Sequence, residues 1–162
     1  LEKYMAELKS AWSESVAEIK TGNPVTDVIL TQKQKEAEEK GIDFRCKFMY
    51  PTDTGINAFD VSVILNNAIT NAFEGVNGCK NPYVSVSAYR KKNAYMLELT
   101  NCVCKSVEID DETGVPETTK KDKGSHGFGL ANIRKVAQKY YGDIDISQDE
   151  NSFTLTVMLM VE

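Results

Sequence analysis

Residues 83–101, "YVSVSAYRKKNAYMLELTN", constrain the fold more than any other stretch. Two runs alternate apolar and polar residues, and only "KKN" separates them. Alternation of period two puts every second side chain on a buried face, and so short a connection joins strands antiparallel. A second pair of strand-like runs, "DIDIS" and "SFTLTVMLMV", is split by the turn-like "QDEN". Upstream, "IDFRCKF" alternates too, with Ile42, Phe44, Cys46 and Phe48 on one side.

Between the strand groups lie segments of helical period. Asn23 can cap a helix and Pro24 suits its first position, so a helix is predicted over 24–40, ending at Gly41. Val61, Ile64, Leu65, Ala68 and Ala72 form one apolar stripe on a helix from about Ala58 to Glu74. A further helix is predicted over 129–141. At the N-terminus, Leu1, Met5, Leu8, Trp12 and Ile19 trace a narrow seam of coiled-coil type. Antiparallel strand neighbours with helices between the groups imply an α+β two-layer sandwich, its helices on one sheet face. The seam helix, residues 1–22, reads as a unit separate from the domain at 23–162.

Composition narrows the function. A chain of 162 residues with 41% hydrophobic and 27% charged residues can bury one sizeable core. Its net charge of −5, with lysines interleaved among acids, excludes a basic nucleic-acid footprint. Cys46, Cys79, Cys102 and Cys104, with a single histidine, lack zinc-site spacing and read as reduced thiols. No apolar run is long enough to cross a bilayer as a helix. A chain starting at Leu1 rather than Met reads as a piece of a longer protein.

Two stretches carry chemistry. "GSHGFGLANIRKVAQKYYG", residues 124–142, places Gly124, Gly127 and Gly129 ahead of an amphipathic helix. Backbone N–H groups at such a junction suit an anion, phosphate first. The long polar segment 103–127 before it has the length of a functional loop. "VILNNAITNAFEG" sets Asn67, Asn71 and Glu74 at i, i+4 and i+7, with Asp60 a heptad earlier, all on the face opposite the apolar stripe. Asparagine is a poor mid-helix residue. Its amide oxygen is a hard ligand suited to Mg²⁺ held together with phosphates, while a solvated polar face accounts for the same pattern.

Together, "LNNAITNAFEG" and "HGFGLANIRKVAQKYYG" resemble the N and G2 boxes of the GHKL ATPase superfamily, and within it the ATP-binding catalytic domain of sensor histidine kinases. The resemblance runs from about Tyr4 to Val161 and is nearest to the peptide-sensing, Agr-type quorum kinases of Gram-positive bacteria. Those carry a stretch similar to "TGNPVTDVILTQKQKEAEEKGIDF", and an asparagine ending a strand where other histidine kinases have Asp-x-Gly. The resemblance implies the Bergerat sandwich fold, ATP and Mg²⁺ as ligands, and a long ATP lid over 103–127.

Carried onto this sequence, it implies that Asn71 ligates Mg²⁺, with Asn67 and Glu74 beside the phosphates, and that Asn101 stands at the adenine-recognising position. Gly127, Phe128 and Gly129 belong to the lid's approach to the phosphates, and the N–H groups of Gly129 and Leu130 open the following helix. Lys121 and Lys123, beside Lys120, fit neutralisation of γ-phosphate charge, although a solvated lysine run is the more common meaning of such a cluster. His126 fits either a phosphate contact or a water-exposed lid residue. Fast GHKL hydrolases have a carboxylate one turn before the Mg²⁺ asparagine; here that position is Asn67, an amide that cannot take a proton.

The implied activity is transfer of the γ-phosphoryl group to a histidine outside this chain, on the dimerisation domain, for relay to a response regulator. The implied whole protein is a homodimeric membrane kinase with this domain in the cytoplasm. A non-catalytic GHKL regulator and an anti-sigma-factor-type serine kinase are the alternatives.

Overall fold

Asn23 and Pro24 start helix α1, Pro24–Glu39, in a computed structural model that describes residues 2–5, 18–104, 112 and 126–161. The Asn23 side-chain oxygen accepts from the Val25 amide at 2.9 Å, satisfying one of the orphan N–H groups of the first turn. Just before the cap, the fully buried Thr21 anchors the chain, its hydroxyl donating to Asp27 Oδ1 at 2.7 Å. The helix ends because Gly41 turns left-handed, with φ of 68°. The Ile42 and Gly41 amides then reach back to the Ala37 and Glu38 carbonyls at 2.8 and 3.2 Å.

Strand β1, Asp43–Lys47, follows, with Phe44 and Cys46 half-buried between a buried Ile42 and a buried Phe48. Helix α2, Ala58–Gly75, is capped by Asn57, whose Oδ1 accepts from the Phe59 amide at 2.8 Å. All five residues of the predicted stripe are buried, and Ile69 and Phe73 widen it. This helix crosses over the sheet, so β2, Tyr83–Lys91, lies parallel to β1. Lys91 pairs with Ala94 across the hairpin, so the turn into β3, Ala94–Cys102, is only Lys92 and Asn93.

Helix α3, His126–Lys139, begins three residues earlier than its sequence pattern predicts. Strands β4, Asp143–Gln148, and β5, Ser152–Met160, complete a sheet of order β1-β2-β3-β5-β4, antiparallel except at β1 and β2. Tyr95, Leu97 and Leu99 of β3, with Leu155, Val157 and Leu159 of β5, point into one core shared with Leu30, Leu65 and Ile133 of the three helices. Met96, Glu98, Thr154 and Thr156, on the opposite face, are only half-buried. This is the two-layer α+β sandwich expected, helices on one face of a mixed sheet. Of the predicted seam helix, residues 2–5 are helical, residues 18–22 around Ile19 are extended or bent because the chain turns there into the Asn23 cap, and the rest lies outside the described residues, as does most of the 103–127 segment.

Candidate functional site

Helices α2 and α3 run antiparallel, and two contacts fix their register. At one end, Asp60 accepts from Lys139 Nζ at 2.8 Å and from the Tyr140 hydroxyl, whose oxygen in turn accepts from the Asn57 amide at 3.0 Å. At the other end, Asn71 meets Gly129. A Cβ on Gly129 would lie 3.0 Å from Asn71 Nδ2 and 3.3 Å from its Oδ1, so the α3 backbone touches the asparagine amide.

Asp60 therefore leaves the group it shares with Asn67, Asn71 and Glu74 in the sequence pattern. Helical periodicity places it on nearly the same angular face, but three turns, about 16 Å, from Asn71 along the axis. Burial works against its charge. The hydrogen bonds from Lys139 and Tyr140 and the Lys139 charge outweigh burial and hold its carboxyl below the ordinary carboxylate range. A depressed value stabilises the fold above the unfolded-state value and loses that contribution as pH falls through the folded-state one. Asp60→Asn should thus lower stability at neutral pH, with the gap to the parent closing in acid. Urea melts over a pH series measure this, and a gap that is constant with pH would contradict it.

Around Asn71 the remaining site residues converge unevenly. Asn67, one turn earlier, donates its Nδ2 to the Val63 carbonyl at 2.8 Å, so its amide nitrogen is turned back onto its own helix. Glu74 is exposed on the last turn. Asn101 continues the core-facing row of Tyr95, Leu97 and Leu99 and is buried at 4% exposure. Its Nδ2 donates to the Cys102 carbonyl at 3.0 Å. A Cβ on Gly75 would come within 2.8 Å of the same Nδ2. A polar amide at a core position, against a helix end that is glycine, joins β3 to α2 as Asn71 and Gly129 join α2 to α3.

The glycine stretch differs from its predicted form. Gly127 and Gly129 stand inside the first turns of α3 rather than in a loop before it. The helix N–H groups without an intrahelical partner are then those around His126, Gly127 and Phe128, while Leu130 lies in the second turn and packs half-buried on the core. Lys121 and Lys123 lie outside the described residues, as do the side chains of His126 and Phe128. Sequence reasoning missed Gly75. Its signal was a glycine closing an apolar helix, which reads as a mere stop.

Residues 56–160 match the family described as the GHKL domain. No curated protein matches by sequence. Among solved structures, the nucleotide-free catalytic domain of histidine kinase ThkA superposes with a TM-score of 0.67 at 18% identity, covering 91% of this chain and 96% of that one. A second nucleotide-free form gives 0.68 at 16% identity, with the same coverage. The Acinetobacter baumannii histidine kinase AdeS gives 0.60 at 14% identity, over 85% of this chain and 64% of that one. The fold is that of histidine kinase catalytic domains, and the match over most of its length places this chain in the GHKL domain family.

Proposed function

We propose that this chain is the ATP-binding catalytic domain of a sensor histidine kinase. The observation that carries the reading is the meeting of Asn71 with the first turns of α3, where a hard amide oxygen stands beside a helix N-terminus. Phosphates are held by such N–H groups and by the positive end of the helix dipole. The donor set fits Mg²⁺, because Asn71 offers a neutral oxygen with Glu74 one turn on, leaving other positions for phosphate and water. Asn71, with Glu74 near it, would hold the ion. When bound, Mg²⁺ neutralises phosphate charge.

The buried Asn101, placed where the strand ends against Gly75, recognises the adenine by its amide. Its presence in place of Asp-x-Gly supports closeness to the peptide-sensing quorum kinases. Asn67 cannot act as a general base on water, so the bound γ-phosphoryl waits for a better-placed acceptor. That acceptor is a histidine on the dimerisation domain, from which a response regulator takes the phosphoryl group. His126, the chain's one histidine, is the first residue of the phosphate-facing helix. The full protein is a membrane-anchored homodimer with this domain in the cytoplasm.

The test is calorimetric titration with an ATP analogue, with and without Mg²⁺, beside a phosphate-release assay. Mg²⁺-dependent binding with turnover far below ~1 per second is the expected outcome. Absence of binding overturns the nucleotide reading, and hydrolysis at ~1 per second or faster overturns the role given to Asn67.

A further inference from the structure

Three of the four cysteines converge where α2 and β3 end. The turn after α2 carries Asn77, Gly78 and Cys79, with the Cys79 amide donating to the Val76 carbonyl at 3.0 Å. The Cys104 thiol, two residues past β3, donates to the Asn77 carbonyl at 3.2 Å. A Cβ on Gly78 would lie 3.0 Å from Cys104 Sγ, so Cys104 rests on this turn. Cys102 Sγ accepts from the Tyr83 amide at 3.4 Å. Cys104 thus lies against the two residues that directly precede Cys79, through the Asn77 carbonyl and Gly78. All the cysteines are free thiols, Cys104 exposed and Cys102 buried.

We propose that Cys79 and Cys104 form a reversible intramolecular disulfide when the protein meets a hydroperoxide. Cys104 is the thiol an oxidant can reach. Cys102 is buried in the strand with its sulfur already bonded to the Tyr83 amide, whereas Cys104 lies beyond the strand, where the backbone can adjust to the demands of a disulfide. Burial and the two neighbouring sulfurs push the Cys79 thiol up to about 12, so it stays protonated and acts second. The deprotonated Cys104 sulfur attacks hydrogen peroxide, breaking the O–O bond to give a sulfenic acid and, after protonation of the departing hydroxide, water. The Cys79 sulfur then attacks the Cys104 sulfur, and the sulfenic oxygen leaves with the Cys79 proton as a second water. Two thiols lose two electrons and two protons, and one peroxide becomes two waters. The bridge ties the turn after α2 to the end of β3, the same two segments that already meet through Gly75 and Asn101.

Trypsin separates the partners cleanly. Cleavage after lysine and arginine leaves Cys79 in residues 48–80, Cys102 and Cys104 together in 93–105, and Cys46 alone in 46–47. The 162-residue chain, treated with dilute hydrogen peroxide, alkylated and digested without reductant, should lose two hydrogens and yield 48–80 linked to 93–105, with fragmentation placing the bond on Cys104. Dithiothreitol should restore the separate peptides. Cys104→Ser should abolish the link, and Cys46→Ser should keep it. The proposal is overturned by a bridge confined to 93–105, by a link that persists in Cys104→Ser, by chains joined to one another, by over-oxidation of Cys104 alone, or by unreacted thiols. The inference stands apart from the nucleotide reading, since the readout requires no ligand.

Discussion

Replacing Gly142 by alanine is expected to destabilise the fold by about 3 kcal/mol or more, beyond the usual upper range for overpacking, lowering the melting temperature by roughly 10 °C. A Cβ there would lie 1.7 Å from the Met158 carbonyl oxygen, 2.7 Å from its carbon and 3.3 Å from Leu159 Cα. All three are backbone atoms of β5. That strand cannot retreat, because it pairs with β3 along one edge and β4 along the other. Nor can the segment that carries Gly142 move away. Its own amide donates to the Ala137 carbonyl at 2.8 Å, and the Met160 amide donates to the Tyr140 carbonyl at 2.9 Å.

Tyr141→Gly is the matching control. Tyr141 takes the left-handed conformation that ends α3, with φ of 58°, and its side chain is 89% exposed. Glycine there removes a strain of about 1 to 2 kcal/mol and adds unfolded-state entropy of somewhat smaller size, so stability should hold level or rise slightly. Thermal melts of both variants decide the matter. A Gly142→Ala protein melting within about 2 °C of the parent would mean that β5 yields, and the rigid junction inferred here would be wrong.

The same pair of residues marks how far the sequence could be read. Asn23, Pro24 and Gly41 bound α1 where local chemistry says they should, because cap and stop act on residues within one turn. The stripe on α2 was equally legible, since burial follows a period visible in the sequence. The glycines of α3 were not. The helix predicted to run to Tyr141 ends at Lys139, and Tyr141 takes the left-handed conformation while Gly142 lies against β5. Gly127 and Gly129 suggest a loop, yet the helix runs through them, and Gly129 is where α3 can approach Asn71. In each case the reason for the glycine lies on a distant element. Asp60 was misgrouped for a related reason: periodicity gives an angle around one helix but not the partner, Lys139 and Tyr140, that a second helix brings to it. Asn71 stood out because an amide in mid-helix needs a reason, and Asn101 only through the family resemblance, but the contacts that Gly129 and Gly75 make with them were visible only once the elements were packed.

Asn71→Ala is expected to weaken Mg²⁺-dependent ATP binding by about tenfold or more, on the scale of a lost charge-assisted contact, while leaving the fold intact. Alanine is a better helix former than asparagine by roughly half a kcal/mol, and this offsets the lost packing on Gly129. Gly129→Ala reaches the same residue from the other side. Its Cβ would crowd Asn71 Nδ2 at 3.0 Å, but a side-chain amide can shift by the few tenths of an ångström required, and the helix gains about 1 kcal/mol in propensity. Stability should therefore hold, and binding should fall because the amide oxygen is displaced. If both variants act through the Asn71 amide, the double variant binds no worse than Asn71→Ala alone, a non-additivity that independent sites do not produce. Asn66→Ala, at an exposed position about 100° around the helix from Asn67, should bind as the parent does. Each protein is titrated with an ATP analogue, with and without Mg²⁺, and the ligand-induced rise in melting temperature is compared. An Asn71→Ala protein that keeps the full Mg²⁺-dependent rise, or an Asn66→Ala protein that loses as much, moves the nucleotide site away from the contact between α2 and α3.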